Sequence, residues 1–360
     1  MKMALPLYES QDWHQRLNRA VAAGAHPGLL FDKFVEGWSE DWCSVPDGAK
    51  AGFLNCILHR TNDAETSIRA GLERAHLARE ALLEHLMENG VKGEWRAFET
   101  EWRFVSGLGA GHPFETGFIW HRTLGVPYLP GSSVKGMMRA WATQWMAGAE
   151  QRENQQRVER LFGPEKVSGD GGDTGAFIAF DALPAEPPEL ELDILNPHYQ
   201  PYYQEPAKYP PADYHNPVPV FFLTVGSGQS FRFALAPRPG AGITGGEMAW
   251  LWEILSEALE NLGAGGKTAV GYGTMSNPKG LAEKWLENAL EELRNDPDYR
   301  NHEEKDLWKK GLSKKFLLAP ERLKPMILET IKAQWAAFGF NWSNPQNRSE
   351  RQAKRNYEPD

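Results

Sequence analysis

Cysteine is nearly missing. Cys43 and Cys56 are the 2 cysteines in 360 residues, and no Cys-x-x-Cys pair occurs. A disulfide framework and a cysteine-ligated zinc module are thereby excluded. Long apolar runs are missing too. The longest, Val218 to Val225, falls far short of the ~20 residues that span a bilayer. The opening MKMALPLYES has too short an apolar stretch for a signal peptide. These absences predict a soluble, cytoplasmic chain with no membrane partner. Positive charge is also in deficit: 39 Lys and Arg against 48 Asp and Glu leave −9. That balance argues against a general nucleic-acid binder.

What is present suits a globular protein. Hydrophobic residues make up 41% of the chain and aromatic residues 11%, which excludes a largely disordered chain. At ~150 residues per domain, the length allows two or three domains or one elaborated core. The charge is uneven. From Leu307 onward eleven Lys or Arg face five Asp or Glu, so this part carries +6 and the remainder −15.

Periodicity predicts the elements. Trp13, Leu17 and Val21 suit a helix, and Asp63 to Asn89 suits a long one, capped by Asn62 or Asp63 and ended by Gly90. Trp102 to Ser106 alternates as a strand; Gly117 to His121 and Val126 to Leu129 suggest two more. A helix should run from Pro130 to about Met146, and a polar one from Gln151 to Leu161. Ala176 to Phe180 and Leu190 to Leu195 are strand candidates. Val218 to Val225 and Ser230 to Ala236 suggest a hairpin across Gly226, Ser227 and Gly228. A helix over Gly246 to Leu262 and a strand over Thr268 to Met275 complete an order of strand, helix, two strands, helix, strand. That is the split β-α-β pattern of an α+β, ferredoxin-like fold. The expected organisation is a helical N-terminal region (1–100), a core (101–276) with insertions near 148–175 and 184–217, a helical C-terminal extension (279–345) and a basic flexible tail (346–360).

Two segments carry chemistry. The first runs Pro130-Gly131-Ser132-Ser133-Val134-Lys135-Gly136-Met137-Met138-Arg139. Ser132 or Ser133 can cap a helix whose free N–H groups and dipole attract an anion, and Lys135 and Arg139 lie four residues apart on one face. An ordinary capped helix with two solvated cations explains the same residues. The second is Gly263-Ala264-Gly265-Gly266-Lys267-Thr268-Ala269-Val270-Gly271-Tyr272-Gly273. It is no nucleotide-binding P-loop: Asn261 stands where the first glycine belongs, and the loop leads from helix to strand. A flexible Gly-rich loop can lie along a sugar–phosphate backbone, and a plain connecting turn is the alternative. Both segments together suggest a groove for a phosphodiester chain.

These two segments resemble the RAMP superfamily of CRISPR proteins. More narrowly, the chain resembles the subunit-six family of the type III-B RAMP module, the Cmr complex. The narrower likeness rests on Gly107 to Gly117 around His112, Ala25 to Lys33, Asp193 to Tyr203 around Asn196, Pro197 and His198, Leu161-Phe162-Gly163 and Phe180-Asp181-Ala182. It covers roughly 20–276. The resemblance implies a crRNA-binding subunit near the 3′ end of the guide, beside the backbone subunit, the first RAMP subunit and the small helical subunit, meeting target RNA but not cutting it. It implies RNA contacts at Ser132, Ser133, Lys135, Arg139, Gly265, Gly266, Lys267 and Thr268. His112, His121, Arg122, His198 and Tyr199 are further positions for RNA or partner contact. No cofactor or metal is expected.

The competing expectation is an endoribonuclease that processes repeat RNA. It needs a general base such as His112, His121, His198 or His215, and no partner acid is identifiable. Asp181 and Asp193 flank strands on separate segments, where a solvated carboxylate is the ordinary case. The tyrosines of 196–217 can stack on bases, although packing on protein is the favoured reading. The same holds for Trp141 and Trp145, which share a helix face and are expected in the core. Trp250 and Trp252 cannot both face one core. The basic residues Arg348, Arg351, Lys354 and Arg355 suit either RNA contact or a solvated tail.

Overall fold

The computed structural model describes residues 26–35, 38–39, 45–114, 116–145, 151–164, 174–197, 199–211, 217, 219–299 and 301–358. The helix expected around Trp13 and the positions of His198, Tyr214 and His215 lie outside the described residues. The chain divides into two compact units, Met1–Ser276 and Asn277–Asp360.

The first unit is built on an antiparallel sheet. Its central strand is β3 (Glu94–Thr100), preceded by α1 (Pro27–Lys33), α2 (Asp47–Asp63), α3 (Glu65–His85) and the small hairpin β1 (Met87–Glu88) and β2 (Val91–Lys92). After β3 come α4 (Gly131–Gln144), α5 (Gln151–Phe162) and β4 (Phe177–Ala179). Then follow β5 (Leu183–Pro184), β6 (Leu190–Leu195), α6 (Gln200–Gln204), β7 (Val220–Val225), β8 (Ser230–Pro237), α7 (Gly245–Asn261) and β9 (Met275–Ser276). The main sheet has the order β4-β8-β3-β9, and every neighbouring pair is antiparallel. β8 lies between β3 and β4, which α4 connects, and β3 lies between β8 and β9, which α7 connects. This is the split β-α-β arrangement.

Several expectations need correcting. The first core strand is 94–100, not 102–106, so the expected boundary at 100/101 falls behind it. Glu94, Arg96 and Glu99 dilute its apolar pattern, and only Phe98 and Thr100 are buried. Phe104 forms just an isolated bridge to Val225, and the Gly117–His121 and Val126–Leu129 segments form bridges instead of strands. The proposed hairpin is not one: β7 pairs with β6, Leu190 opposite Val225, while β8 pairs with β3 and β4. Thr100 holds the crossing between them. Its Oγ1 donates to Gly226 O at 2.8 Å and accepts from Gln229 N at 2.9 Å. The expected last strand is a 3-10 turn at Thr268–Val270 followed by the two-residue β9. The long helix over 63–89 is two, α2 and α3, hinged at Ala64, which caps α3 without a side-chain bond; Gly90 serves the β1–β2 turn. The Tyr/Pro stretch contains a short helix, α6.

The core follows from these pairings. Phe98 and Phe233, and Phe104 and Phe231, meet edge to face across the strands. α7 covers the sheet with Leu251, Trp252, Ile254 and Leu255, and a capping box between Thr244 and Glu247 starts it. Trp252 is buried, and the partly buried Trp250 packs against the same core, contrary to the expectation that the two could not share one. α4 packs on α7, α5 and β4. Trp145 does not enter the core: it stacks on Trp141 at 5.6 Å and remains 63% exposed.

The second unit is helical: α8 (Pro278–Asn295), α9 (Glu304–Asp306), a π-helical segment (Leu307–Gly311), α10 (Leu312–Phe316), α11 (Lys324–Ala337) and α12 (Arg348–Tyr357). Leu286, Leu290, Leu293, Ile327, Ile331 and Trp335 form its core, as their spacing predicts. The tail expected to be flexible is the ordered helix α12. Ala353 and Tyr357 bury into this core, and the Tyr357 hydroxyl donates to Trp308 O at 2.5 Å.

Candidate nucleic-acid interface

The first motif forms α4, but its serines do not cap it. Pro130 is the N-cap residue, and no side chain of the first turn bonds back. The carboxylate of Asp181, on the far side of β4, accepts the Gly131 N–H at 2.7 Å. Asp181 therefore occupies the place that a bound anion would take at a helix N-terminus. Gly131 is required there, because a Cβ would sit 2.3 Å from Ala179 O. Ser132 and Ser133 are exposed.

The cations of the motif lie along the flank of α4. Lys135 is half-buried: Nζ donates to Phe177 O at 3.4 Å and sits 4.7 Å from the Phe177 ring centroid. Burial lowers its ammonium pKa, and the nearby positive charges of Arg238 and Arg139 lower it further. Arg238 reaches the same spot, with its Nε donating to Gly175 O at 2.8 Å. Among the described residues, no carboxylate pairs with Lys135, Arg139 or Arg238. Three cations converge with no counter-charge of their own, which is a cost that an incoming anion would relieve.

The Gly-rich motif packs as a tight loop against 103–108. Gly266 N donates to Val105 O at 2.8 Å and Gly273 N to Arg103 O at 2.8 Å, so these amides are already used. A Cβ on Gly265 would lie 2.1 Å from Val105 O, and one on Gly273 1.9 Å from Ala264 O. Lys267 takes the left-handed backbone conformation at φ 58°. Its Nζ lies 5.3 Å from the Tyr272 ring and 5.4 Å from the Phe222 ring. Thr268 is half-buried and begins the 3-10 turn.

Beneath this loop is a network that sequence reasoning missed. Arg103 donates to Glu191 at 2.6 Å and to Asp193 at 3.0 Å, and the Tyr272 hydroxyl donates to Asp193. Burial and the Asp193 carboxylate push the Tyr272 phenol pKa up to about 12. Burial raises the Asp193 pKa, but bonds from Tyr272, the Ile194 N–H and Arg103 outweigh it and hold the carboxyl below its ordinary value. Asp193 is thus committed to the protein.

The strand directions locate both motifs. The start of α4 lies beside the end of β4, where Ala179 pairs with Leu235 and is level with Glu94 at the beginning of β3. The Gly-rich loop instead packs on 103–108, beyond the end of β3 where β9 begins. They flank opposite edges of the four-strand path and are also offset along the strands. Lys135 and Arg238 turn toward the start of β4, away from the serines. The eight motif residues therefore do not form one pocket, and a chain-like ligand suits them better than a single phosphate.

Of the candidate histidines, His112 and His121 lie among the described residues and have structural duties. His112 stacks on Phe31 with centroids 4.1 Å apart; its Nε2 faces Phe31 O at 3.0 Å and its Nδ1 accepts from Phe114 N at 3.3 Å. Nε2 therefore carries the proton, and burial holds the imidazole pKa below normal. His121 packs edge-on to Tyr128, its Nδ1 lies 3.3 Å from Thr123 Oγ1, and burial lowers its pKa as well. Arg122 is exposed and Tyr199 half-buried. Among the described residues no group of three His, Cys, Asp or Glu side chains is placed to hold a metal, and no helix is long and apolar enough to cross a membrane.

The sheet order and the two motifs define a class, and comparison with known proteins agrees. The RAMP superfamily model matches residues 68–276. The Pyrococcus furiosus CRISPR system Cmr subunit Cmr6 is 33% identical over 240 residues, covering 52% of this chain and 69% of that protein. The Saccharolobus solfataricus Cmr6 subunit is 29% identical over 124 residues, 34% of this chain and 37% of that protein. The chain belongs to the RAMP superfamily and, within it, to the Cmr6 subunit family. Among solved structures, the crystal structure of Cmr6 from Pyrococcus furiosus shares 30% identity at a TM-score of 0.30, covering 53% of this chain and 99% of that one. A chain of the type III-B Cmr-beta complex bound to cognate target RNA shares 20% identity at a TM-score of 0.45, covering 65% and 76%.

Proposed function

We propose that this chain is a crRNA-binding, non-cutting subunit of a type III-B CRISPR effector complex. It binds the guide near its 3′ end and contacts target RNA, the backbone subunit, the first RAMP subunit and the small helical subunit. Family membership supports the assembly. The observation that carries RNA binding is the cluster of Lys135 and Arg139 on the helix of the first motif with Arg238 just after β8, three cations without a carboxylate partner among the described residues. Phosphates of a single strand neutralise such a cluster and release counterions. The Gly-rich loop with Lys267 and Thr268 offers the strand a second support at the far edge of the sheet.

The non-catalytic reading is supported by His112, whose two ring nitrogens are already engaged, and by the commitment of Asp181 and Asp193 to internal bonds. A general base needs a free nitrogen within reach of the attacking hydroxyl.

Recovery of the tagged chain from its own cells tests this function. Short RNAs of defined length with several stoichiometric proteins are expected. A chain recovered free of RNA and partners would overturn the assignment. Cleavage of CRISPR repeat RNA by the isolated chain would overturn the non-catalytic part.

A further inference from the structure

The C-terminal unit contains a cavity of about 680 Å³, within the range of roughly 300–1,000 Å³ typical of ligand pockets. Lys309, Lys310, Lys314 and Arg348 line it against one carboxylate, Asp298. Two rings, Tyr299 and His302, stand 5.7 Å apart in the same lining. Three separate segments bring these groups together: the turn after α8, the stretch from the π-helical segment into α10, and the start of α12.

The site has the marks of a built one. The π turn places Lys309 and Lys310 beside Lys314, and such turns recur at functional sites. Lys309 and Lys310 share one carboxylate, Asp306, at 3.4 and 3.6 Å. Lys314 donates to the Tyr299 hydroxyl at 3.2 Å, holding that ring at the cavity. Arg348 has no carboxylate partner among the described residues and occupies the first turn of α12, whose dipole already disfavours a cation. An anion seated there would be favoured by both. Cations alone would suit any acidic ligand; cations beside two rings suit a phosphate that carries a base.

We propose that this cavity holds one nucleotide of a single-stranded RNA, its phosphate among Lys310, Lys314 and Arg348 and its base against Tyr299 or His302. The family match ends before this unit begins, so the phosphate and base chemistry stands on the cavity alone. The choice of RNA over DNA rests on the proposed function.

The test uses the full chain and a short oligouridylate carrying 4-thiouridine, crosslinked by light and mapped by mass spectrometry. Adducts are expected on peptides containing Tyr299 or His302. They should fall at least tenfold in Lys314→Glu with Arg348→Glu, return in Lys314→Arg, and persist in Lys135→Ala with Arg139→Ala. A circular dichroism spectrum checks each fold, and Lys314→Ala alone serves if the double reversal unfolds. No adduct at 298–314 or 348–356 in the unaltered chain would overturn the proposal. Competition by AMP as strong as by the oligomer would overturn its polynucleotide part, and equal capture of the deoxy oligomer would overturn RNA. Lost cavity adducts alongside guide binding that still depends on Lys135 would fail this inference alone.

Discussion

The Asp181 carboxylate accepts the Gly131 N–H at 2.7 Å across 50 residues of sequence. The anion-seeking end of α4 is thereby satisfied from within, and the cations of the same motif are left for other work. Asp181→Ala should cost about 1 kcal/mol of stability, the usual worth of a helix cap. Ser132→Ala and Ser133→Ala, at exposed positions, should cost less than about 0.5 kcal/mol. Urea unfolding of the three variants checks the order. A larger loss at either serine would return the cap to the motif itself.

The Gly-rich loop predicts a graded series. Gly273→Ala and Gly265→Ala combine a positive φ with a backbone oxygen 1.9 and 2.1 Å from the new Cβ. Gly271→Ala has φ +90° but open space. The first two should lose more than about 2 kcal/mol, the third about 1 kcal/mol. Thermal melts of the three variants measure this, and equal losses would mean that the loop is not packed on 103–105.

How much of this was legible depends on how far each partner lies along the chain. Helix α7 announces itself locally, through Thr244, Glu247 and the spacing of Leu251, Ile254 and Leu255. The apolar runs of β7 and β8 are equally plain. Their pairing was not, because Gly226-Ser227-Gly228 looks like a hairpin turn whether the strands meet or part. β3 was hidden by the charges within it: Arg96, on the same face as buried Phe98, lies 4.5 Å from the Trp252 ring, and Arg232 of β8 lies 4.2 Å from the Trp95 ring. The motif residues were legible as anion-seeking types. Arg238, which completes the cation cluster, follows an unremarkable Pro237, and nothing local marks it; Tyr272 was visible only as one residue of the glycine motif.

His112 makes a pH prediction. Burial lowers its pKa in the folded chain below the unfolded value of ~6.5, so the unfolded chain binds more protons as the pH falls through that value. The stability it supports is full above that value and is lost toward the lower folded pKa. His121 and His76 shift the same way, also through burial. Denaturation midpoints at about pH 7.5 and about pH 5.5 should differ more for the unaltered chain than for His112→Gln, in proportion to the proton uptake removed. An identical pH dependence would mean that His112 is solvated.

Tyr272→Phe removes the hydroxyl that donates to Asp193 and should destabilise the chain by about 1.5–3 kcal/mol, the range for a hydrogen bond to a charged group. In the unaltered protein the Tyr272 phenol should stay protonated to about pH 12. Ultraviolet difference titration against Tyr272→Phe isolates that phenol. Ionisation near pH 10 would place Tyr272 in water, away from Asp193.

Guide-RNA affinity as a function of salt, for the unaltered chain and for Lys135→Ala with Arg139→Ala and Arg238→Ala, tests the central claim most directly. Each phosphate contact by a single strand contributes about 0.7 to the slope of log affinity against log salt. Loss of three contacts should therefore lower the slope by about 2 and weaken binding at low salt, with the circular dichroism spectrum unchanged. The same affinity and slope in a folded variant would contradict the placing of the guide on this cation cluster.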